Sequence, residues 1–281
     1  MQFPLNLRDW NVDCIYTTNL SAHPGHGSFN GGKSDATLIK DLFQGLKNLS
    51  LDDDYKCVIV GYIAADDILE VVWKNILTEL NTKKNIIKVL DPVMGDNGKI
   101  YVNERVVSLY LQFLGENSVD IDLLTPNQFE METLSGVKIN SWESVLNALK
   151  VFCSKYTKVK NVIITSVFVE GKMYCVGASK GQVFYYDVEQ IDAVFSGSGD
   201  LLLGILTDEF VKSDQDLVKS LCNTLGVVNN VLQLSYNILK NDPSLQKIIN
   251  GKLYIPDLKL IESKKILTTK VPFREPSFLK R

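Results

Sequence analysis

Short apolar runs alternate along the chain with segments whose apolar residues recur at helical spacing. Strands are predicted at residues 12–17, 57–62, 86–90, 119–124 and 161–165. Helices are predicted from residue 34, at 67–80 and 104–114, from residue 127, at 201–210 and at 214–239. Runs of β-branched residues separated by amphipathic helices are typical of parallel βαβ units. The pattern therefore predicts an α/β fold around a mostly parallel sheet.

The end of the predicted sheet has a different pattern. Two further apolar runs lie between residues 167 and 187, broken at Glu170-Gly171 and Lys180-Gly181. Such short breaks favour antiparallel neighbours, added as an edge to a parallel sheet.

The chain is predicted to form a single domain, because no repeat or linker interrupts residues 1–281. Residues 256–281 are predicted to form an edge element or a tail. The first helix is predicted to place on one face Leu38, Ile39, Leu42, Phe43 and Leu46.

Composition excludes several classes of protein. The 281 residues are 45% apolar and 22% charged, with a net charge of −3, so a basic surface for nucleic acid is not expected. No apolar run approaches the ~20 residues that span a bilayer, so no membrane partner is predicted. The start lacks a secretory pattern, so secretion is not expected. The five cysteines are scattered without a Cys-x-x-Cys pair, which favours a cytoplasmic location. A nuclear location is the alternative.

Polar residues gather where the predicted strands end. Carboxylates, hydroxyls and glycines follow four of these strands: Asp91 and Asp96; Thr125, Asn127 and Glu130; Thr165 and Ser166; and residues 196–200. Open α/β sheets bind ligands at this edge. Each residue taken singly also suits a helix cap or a turn, and Asn127 and Glu130 have the spacing of a capping box. Their recurrence at one edge favours a binding site.

The sharpest motif is Gly197-Ser198-Gly199-Asp200, which precedes a helix. Two glycines let the backbone approach an anion, and the helix start supplies unpaired N–H groups. An aspartate beside such an anion hole could accept the proton of an attacking alcohol while the N–H groups stabilise a transferring phosphoryl group. A glycine-rich helix start capped by Ser198 or Asp200 is the alternative.

A second phosphate motif competes with it. Residues 27–34 match the P-loop pattern G-x-x-x-x-G-K-[ST], and residues 86–91 could serve as the accompanying acidic strand. However, residues 19–26, with Pro24, separate the motif from its strand, so Lys33 is predicted to be a solvated loop lysine that precedes a helix cap at Ser34. His23 and His26 lie in this loop and could share a metal only with a third ligand; a substrate-lining or exposed role is favoured.

Three of these motifs together resemble a known family. Residues 91–96 (Asp-Pro-Val-Met-Gly-Asp), 125–130 (Thr-Pro-Asn-Gln-Phe-Glu) and 197–200 are similar to those of pyridoxal kinases of the ribokinase-like superfamily. The early segments 3–5 and 21–27 also resemble that family, and the match runs from about residue 3 to at least 235. The resemblance implies a three-layer α/β sandwich and phosphorylation of the 5′-hydroxymethyl group of pyridoxal, pyridoxine or pyridoxamine by ATP.

The resemblance also implies a role for each matching residue. Asp200 would be the catalytic base, with the anion hole at Gly197, Ser198 and Gly199. The nucleotide would be bound by Asp96, Tyr101, Asn127, Glu130, Thr165, Ser166 and Phe195, and the vitamin by His23, Tyr62 and Asp200. Metal ions would lie at Asp91, Thr125 and Glu130: a monovalent cation (K⁺ or Na⁺) at the first two and a divalent ion (Mg²⁺ or Zn²⁺) with the nucleotide. Hard oxygen ligands suit these cations. A homodimer is a further, open expectation.

The sequence departs from the family pattern in two places, and these departures leave alternative functions open. The family begins with a strand and a glycine-containing loop with a substrate-contacting serine, which this chain, starting Met1-Gln2-Phe3, is expected to lack. A family threonine that contacts the substrate corresponds to Pro24, which has no hydroxyl and no backbone N–H to donate. The alternatives are a degenerate nucleotide-binding pseudokinase, a partner of a full-length paralogue or, less favoured, a P-loop NTPase.

Overall fold

A computed structural model describes residues 1–22, 26, 28–83, 85–96, 98–242, 244, 246–249 and 251–279. The chain folds into two compact units. The helical unit comprises residues 1–14, 20–30 and 188–276, and the sheet unit comprises residues 15–19, 31–187 and 277–281. The single domain expected over residues 1–281 stays a prediction.

The strands, in chain order, are β1 (Thr18–Leu20), β2 (Gly31–Lys33), β3 (Cys57–Val60), β4 (Ile87–Leu90), β5 (Gly95–Asp96), β6 (Lys99–Ile100), β7 (Leu123–Leu124), β8 (Asn161–Val169), β9 (Lys172–Ser179), β10 (Gln182–Asp187), β11 (Ala193–Phe195), β12 (Lys247–Ile249), β13 (Lys252–Ile255) and β14 (Ser277–Leu279). The α-helices are α1 (Gln2–Leu7), α2 (Ala36–Asn48), α3 (Asp66–Val71), α4 (Thr78–Leu80), α5 (Glu104–Gly115), α6 (Gln128–Ser135), α7 (Trp142–Lys155), α8 (Ser198–Lys212), α9 (Leu217–Lys240) and α10 (Lys264–Thr268).

The sheet unit is built on a seven-stranded sheet of order β14-β10-β9-β8-β7-β4-β3. Strands β3, β4, β7 and β8 run parallel, whereas β9, β10 and β14 continue the sheet antiparallel. The hairpin turns fall at the predicted breaks, where Glu170, Gly171, Lys180 and Gly181 all have positive φ. Two consecutive residues of positive φ form the turn that matches the twist of a two-residue hairpin. The mixed sheet with an antiparallel edge is therefore confirmed.

Helix α2 shows where the predicted apolar face is only partly correct. Ile39 and Phe43 are buried against the core of the sheet unit, but Leu38 is 50% and Leu42 45% exposed. Residues Leu38 and Leu42 lie one position before the two buried residues, so a narrower face than predicted meets the core. The helix is capped by Asp35, whose carboxylate accepts the backbone N–H groups of the first turn, rather than by Ser34.

The predicted helix at 67–80 contains an irregular segment. Between α3 and α4 the backbone is π-helical over Val72–Leu77. Thr78, which follows this segment, donates its Oγ1 hydroxyl to the carbonyl of Trp73 at 2.9 Å, and the Trp73 ring stacks on Phe113 with centroids 5.3 Å apart. The pattern of the sequence predicts a helix here but does not show this local widening.

Residues 12–17, predicted to be a strand, adopt irregular structure, and the strand begins at Thr18. Their backbone groups bind elsewhere: the carbonyl of Thr17 accepts the N–H of Ser34 at 2.9 Å, and the carbonyl of Tyr16 accepts the Ser34 hydroxyl at 2.5 Å. The expected strand at 119–124 is short, with β7 at its end. The segment after residue 256 supplies β14, the predicted edge element. The expectation that family elements are missing ahead of Phe3 concerns sequence before Met1 and stays a prediction.

In the helical unit, α1 packs on α8 and α10. A Cβ at Gly204 of α8 would lie 3.2 Å from the Met1 side chain, which shows how closely α1 approaches. Apolar residues of α8, α9 and α10 form the shared core: Leu201, Ile205, Val227, Val228, Val231 and Leu267. Strands β11, β13 and β12 form a separate three-stranded sheet. In the described part of the chain, no helix is both long and apolar enough to span a bilayer.

A buried ion-pair network joins the N-terminal segment to α8. Asp208, fully buried, accepts hydrogen bonds from Arg8 Nη1 at 2.5 Å, Trp10 Nε1 at 2.7 Å and Lys212 Nζ at 2.6 Å. The same Arg8 nitrogen also reaches Glu209 at 2.6 Å, and Arg8 Nε donates to the carbonyl of Leu267 at 2.6 Å. Each charge of this network has an opposite partner, as burial requires.

Candidate active site

The carboxyl ends of β4 and β7 bring Asp91 and Thr125 together. Leu90 and Leu124 are paired in the parallel register, so the residues that follow them are neighbours at the sheet edge. The N–H of Thr125 donates to the carbonyl of Leu90 at 3.0 Å. Thr125 is 3% exposed, and its hydroxyl has no hydrogen-bond partner among the described residues. This buried oxygen could bind a small cation.

The start of α6 holds a buried carboxylate. Asn127 and Glu130 form the predicted capping box: Asn127 Oδ1 accepts the N–H of Glu130 at 2.9 Å, and Glu130 Oε2 accepts the N–H of Asn127 at 2.8 Å. Glu130 is 2% exposed. Burial raises the pKa of Glu130 to about 7, although hydrogen bonds from backbone N–H groups act in the opposite direction.

A short hairpin of β5 and β6 lies against this carboxylate. Glu130 Oε1 accepts the N–H groups of Met94 at 2.8 Å and Gly95 at 3.4 Å, and Asn127 Nδ2 donates to the carbonyl of Gly95 at 2.7 Å. The hairpin carries Asp96, which is half-buried, and is followed by Tyr101, which is 59% exposed. Of the two residues predicted to bind nucleotide, one thus lies on the hairpin and the other directly after it.

Thr165 and Ser166 lie at an irregularity of β8. The pairing of β8 with β9 shifts register between Ile164 and Val167, and both intervening residues are half-buried. The N–H of Thr165 donates to the carbonyl of Pro126 at 2.9 Å, and the Cys175 thiol donates to the carbonyl of Thr165 at 2.8 Å. A β-bulge of this kind redirects side chains at the edge of a sheet.

The glycine-rich motif lies in the helical unit, where it begins α8. Gly197 has the left-handed φ of 82° that glycine adopts without strain, and Ser198 is the first helical residue. The helix start has no side-chain cap among the described residues, and space is open where Gly197 and Gly199 would carry a Cβ. Asp200 is exposed in the first turn. Phe195 ends the preceding strand β11, next to Ile255 of β13.

The remaining predicted residues are placed as follows. Tyr62 is partly exposed in the sheet unit, and its carbonyl accepts the Thr17 hydroxyl at 2.7 Å. His23 and Pro24 lie outside the described residues, whereas His26 is 3.1 Å from Asp257. No group of three or more His, Cys, Asp or Glu side chains in the described ranges could hold a metal ion.

The P-loop interpretation disagrees with the structure. Gly31–Lys33 form strand β2, whereas a P-loop needs a looped backbone that surrounds phosphate at this point. Lys33 lies 3.8 Å from Asp67 with a mostly exposed side chain, as expected of a solvated lysine.

The sequence pattern also does not indicate the electrostatic surroundings of Tyr110, a buried residue of α5. Its hydroxyl has no hydrogen-bond partner among the described residues, and burial, with the charges of Asp91 and Glu130, raises the pKa of Tyr110. In the sequence, Tyr110 falls on the apolar face of its helix, which gave no signal of a polar role. The backbone N–H groups of Met94 and Gly95 were missed because main-chain donors have no sequence signature.

Comparison with known proteins agrees with these motifs. The family model described as phosphomethylpyrimidine kinase matches residues 33–242. The Saccharomyces cerevisiae pyridoxal kinase homologue BUD17 is 34% identical over 279 residues, which cover 94% of this chain and 86% of that protein. The pyridoxal kinase of Arabidopsis thaliana is 34% identical over 211 residues, which cover 73% of this chain and 66% of that protein.

The fold comparison agrees with the sequence comparison. The structure of pyridoxal kinase from Leishmania donovani with ADP and ginkgotoxin is similar with a TM-score of 0.85 at 24% identity, covering 99% of this chain and 93% of that chain. The ordered set of motifs, the sequence relatives and the shared fold are consistent with one another. The chain therefore belongs to the pyridoxal kinase family of the ribokinase-like superfamily and is a kinase, a phosphotransferase.

Proposed function

We propose that this chain transfers the γ-phosphoryl group of ATP to the 5′-hydroxymethyl group of pyridoxal, pyridoxine or pyridoxamine in the cytoplasm. Its relative from Arabidopsis thaliana is a pyridoxal kinase, and the shared fold holds ADP in the Leishmania donovani structure. Within the chain, the observation that supports the proposal best is the start of α8, with its two glycines and its exposed aspartate.

The start of α8 supplies the chemistry that phosphoryl transfer needs. The N–H groups of Ser198, Gly199 and Asp200 have no acceptor within the helix, because the first intrahelical bond runs from Leu201 to the carbonyl of Gly197. These donors and the helix dipole would stabilise the charge on the transferring phosphoryl oxygens. Asp200 in the same turn would accept the proton of the attacking hydroxyl.

Oxygen donors of the sheet unit fit the cations that such a reaction uses. The buried, unpartnered hydroxyl of Thr125 beside Asp91 fits a monovalent cation, K⁺ or Na⁺. Asp96, on the hairpin, would face the magnesium complex of ATP. A divalent ion bound to the phosphates would neutralise their charge during transfer.

The role of Asp200 is tested by Asp200→Asn, which keeps the shape and removes the basic oxygen. Turnover of pyridoxal with Mg-ATP should fall roughly 10²-fold or more because the proton acceptor is lost, while the KM for ATP stays nearly constant. The measurement is formation of pyridoxal 5′-phosphate together with ADP. Asp214→Asn, an exposed aspartate just beyond the other end of α8, is the matched control and should retain wild-type turnover.

Two results would contradict the proposal. Near-normal turnover of Asp200→Asn would exclude it as the base. If wild-type protein phosphorylated a phosphomethylpyrimidine, the substrate for which the matching family model is named, and none of the three vitamers, the substrate assignment would be wrong.

A further inference from the structure

We propose that Asn127 and Glu130 are positioning residues, which anchor the β5–β6 hairpin and so hold Asp96 and Tyr101 toward the nucleotide, and that Glu130 is not a ligand of the nucleotide's metal ion. This inference rests on the proposed function. It departs from the sequence-based expectation that Glu130 is a metal ligand.

The carboxylate of Glu130 is already occupied by backbone donors. Oε1 accepts two N–H groups, those of Met94 and Gly95, and Oε2 accepts the N–H of Asn127 at 2.8 Å. An ionised carboxylate has about four acceptor positions, and three are filled here. Because the side chain is also almost fully buried, a hydrated ion has almost no access to the one acceptor position that stays free, on Oε2. The geometry is that of an anchor.

Asn127 completes the anchor from the other side of the same peptide segment. Its Nδ2 donates to the carbonyl of Gly95 at 2.7 Å, while its Oδ1 accepts the N–H of Glu130 at 2.9 Å. Gly95 is therefore held through both its N–H and its carbonyl. A side chain at Gly95 would force the hairpin to shift, because its Cβ would collide with the carbonyl of Lys99 across the hairpin.

The hairpin needs this anchor because it is very short. Among the described residues, two pairs join its strands, Gly95 with Ile100 and Asp96 with Lys99, and one further backbone hydrogen bond runs from the N–H of Tyr101 to the carbonyl of Met94 at 2.9 Å. Most of the paired side chains reach solvent. An isolated two-stranded hairpin is marginally stable at best in water. The bonds from Glu130 and Asn127 hold Met94 and Gly95, and through these two residues they position Asp96 and Tyr101.

Two variants test the anchor by different routes. Glu130→Gln replaces one acceptor oxygen with a donor, and Gly95→Ala displaces the hairpin without changing either anchoring side chain. Both should speed hydrogen exchange of the 94–101 backbone and weaken binding of Mg-AMP-PNP about 10-fold or more, the usual cost of losing a supporting hydrogen bond at a site. The Mg²⁺ concentration that half-saturates nucleotide binding should stay at its wild-type value.

Glu132→Gln is the matched control. This residue lies on the same helix but bonds to Lys138 and to the N–H of Ile139, away from the hairpin, so exchange at 94–101 and nucleotide affinity should be unchanged. If Glu130→Gln raised the half-saturating Mg²⁺ about 10-fold while exchange at 94–101 stayed at wild type, Glu130 would be a metal ligand and the inference would be wrong. Equal exchange in Gly95→Ala and wild type would also overturn it. Hydrogen exchange and the binding of Mg-AMP-PNP, measured by calorimetry, do not depend on turnover. A failure of the protein to phosphorylate the vitamers would therefore leave this test intact.

Discussion

The buried network around Asp208 predicts that one isosteric change will loosen the N-terminal segment from α8. In Asp208→Asn the side chain keeps its shape but loses its charge and one acceptor oxygen. An amide could still accept from Trp10 and Lys212 through its oxygen, but its NH₂ group would face Arg8 Nη1, which is 2.5 Å from the present carboxylate oxygen. Two donors would then meet where a charged hydrogen bond now exists.

The expected cost follows from burial. Asp208 is fully buried, and removing one partner of a buried ion pair typically costs ~3–5 kcal/mol. Arg8 would keep its contacts with Glu209 and the carbonyl of Leu267, so we expect the lower end, about 3 kcal/mol. For a protein of this size, that corresponds to a fall in Tm of roughly 6–12 °C.

Urea denaturation and thermal unfolding of wild type and Asp208→Asn measure this difference. Lys74→Ala, which removes an exposed i,i+4 pair with Glu70, is the control and should change the free energy of unfolding by less than about 1 kcal/mol. If the free energy of unfolding of Asp208→Asn fell by less than about 1 kcal/mol at an unchanged m value, the network would contribute little to stability. The reasoning from burial would then be refuted.

Two further predictions concern buried polar groups. Tyr110→Phe removes a hydroxyl without a partner in the described structure and should leave the free energy of unfolding unchanged or raised, whereas Tyr156→Phe loses the 3.0 Å bond to the carbonyl of Leu134 and should cost about 1–3 kcal/mol. If urea unfolding showed a larger loss of free energy of unfolding in Tyr110→Phe than in Tyr156→Phe, this reasoning would be refuted. The second prediction concerns Lys88. Burial lowers the pKa of this residue, although the negative charge of Asp122 acts in the opposite direction. Between that lowered pKa and 10.5, the unfolded chain binds a proton at Lys88 that the folded chain has lost. The free energy of unfolding of wild type should therefore rise with pH in this range relative to that of Lys88→Met. If the free energies of unfolding of the two proteins changed in parallel with pH, this prediction would be contradicted.

Features encoded by neighbouring residues were predictable. The capping box of Asn127 and Glu130 and the turns at Glu170-Gly171 and Lys180-Gly181 depend on spacing within four residues, and the structure has them as expected. The family, too, follows from three short motifs whose order is visible in the sequence.

Features that depend on distant residues were not predictable. Arg8 and Asp208 are 200 residues apart, and no periodicity connects them. Residues 12–17 are predicted to be a strand from their apolar residues, but the carbonyls of Tyr16 and Thr17 bind Ser34 instead of a neighbouring strand. Glu130 fits a metal ligand by residue type, and only the three-dimensional arrangement shows that backbone N–H groups occupy its oxygens.

The π-helical segment Val72–Leu77 has a consequence for how this family varies in length. A π-helical segment corresponds to a single residue inserted into an α-helix, with the helix on either side kept in phase. Deleting one residue there would restore a regular α-helix and still direct the buried side chains of Ile68 and Leu80 toward the core. Homologues with one residue fewer at this point would therefore share the same packing, and their alignment with this chain would show a gap inside a continuous helix.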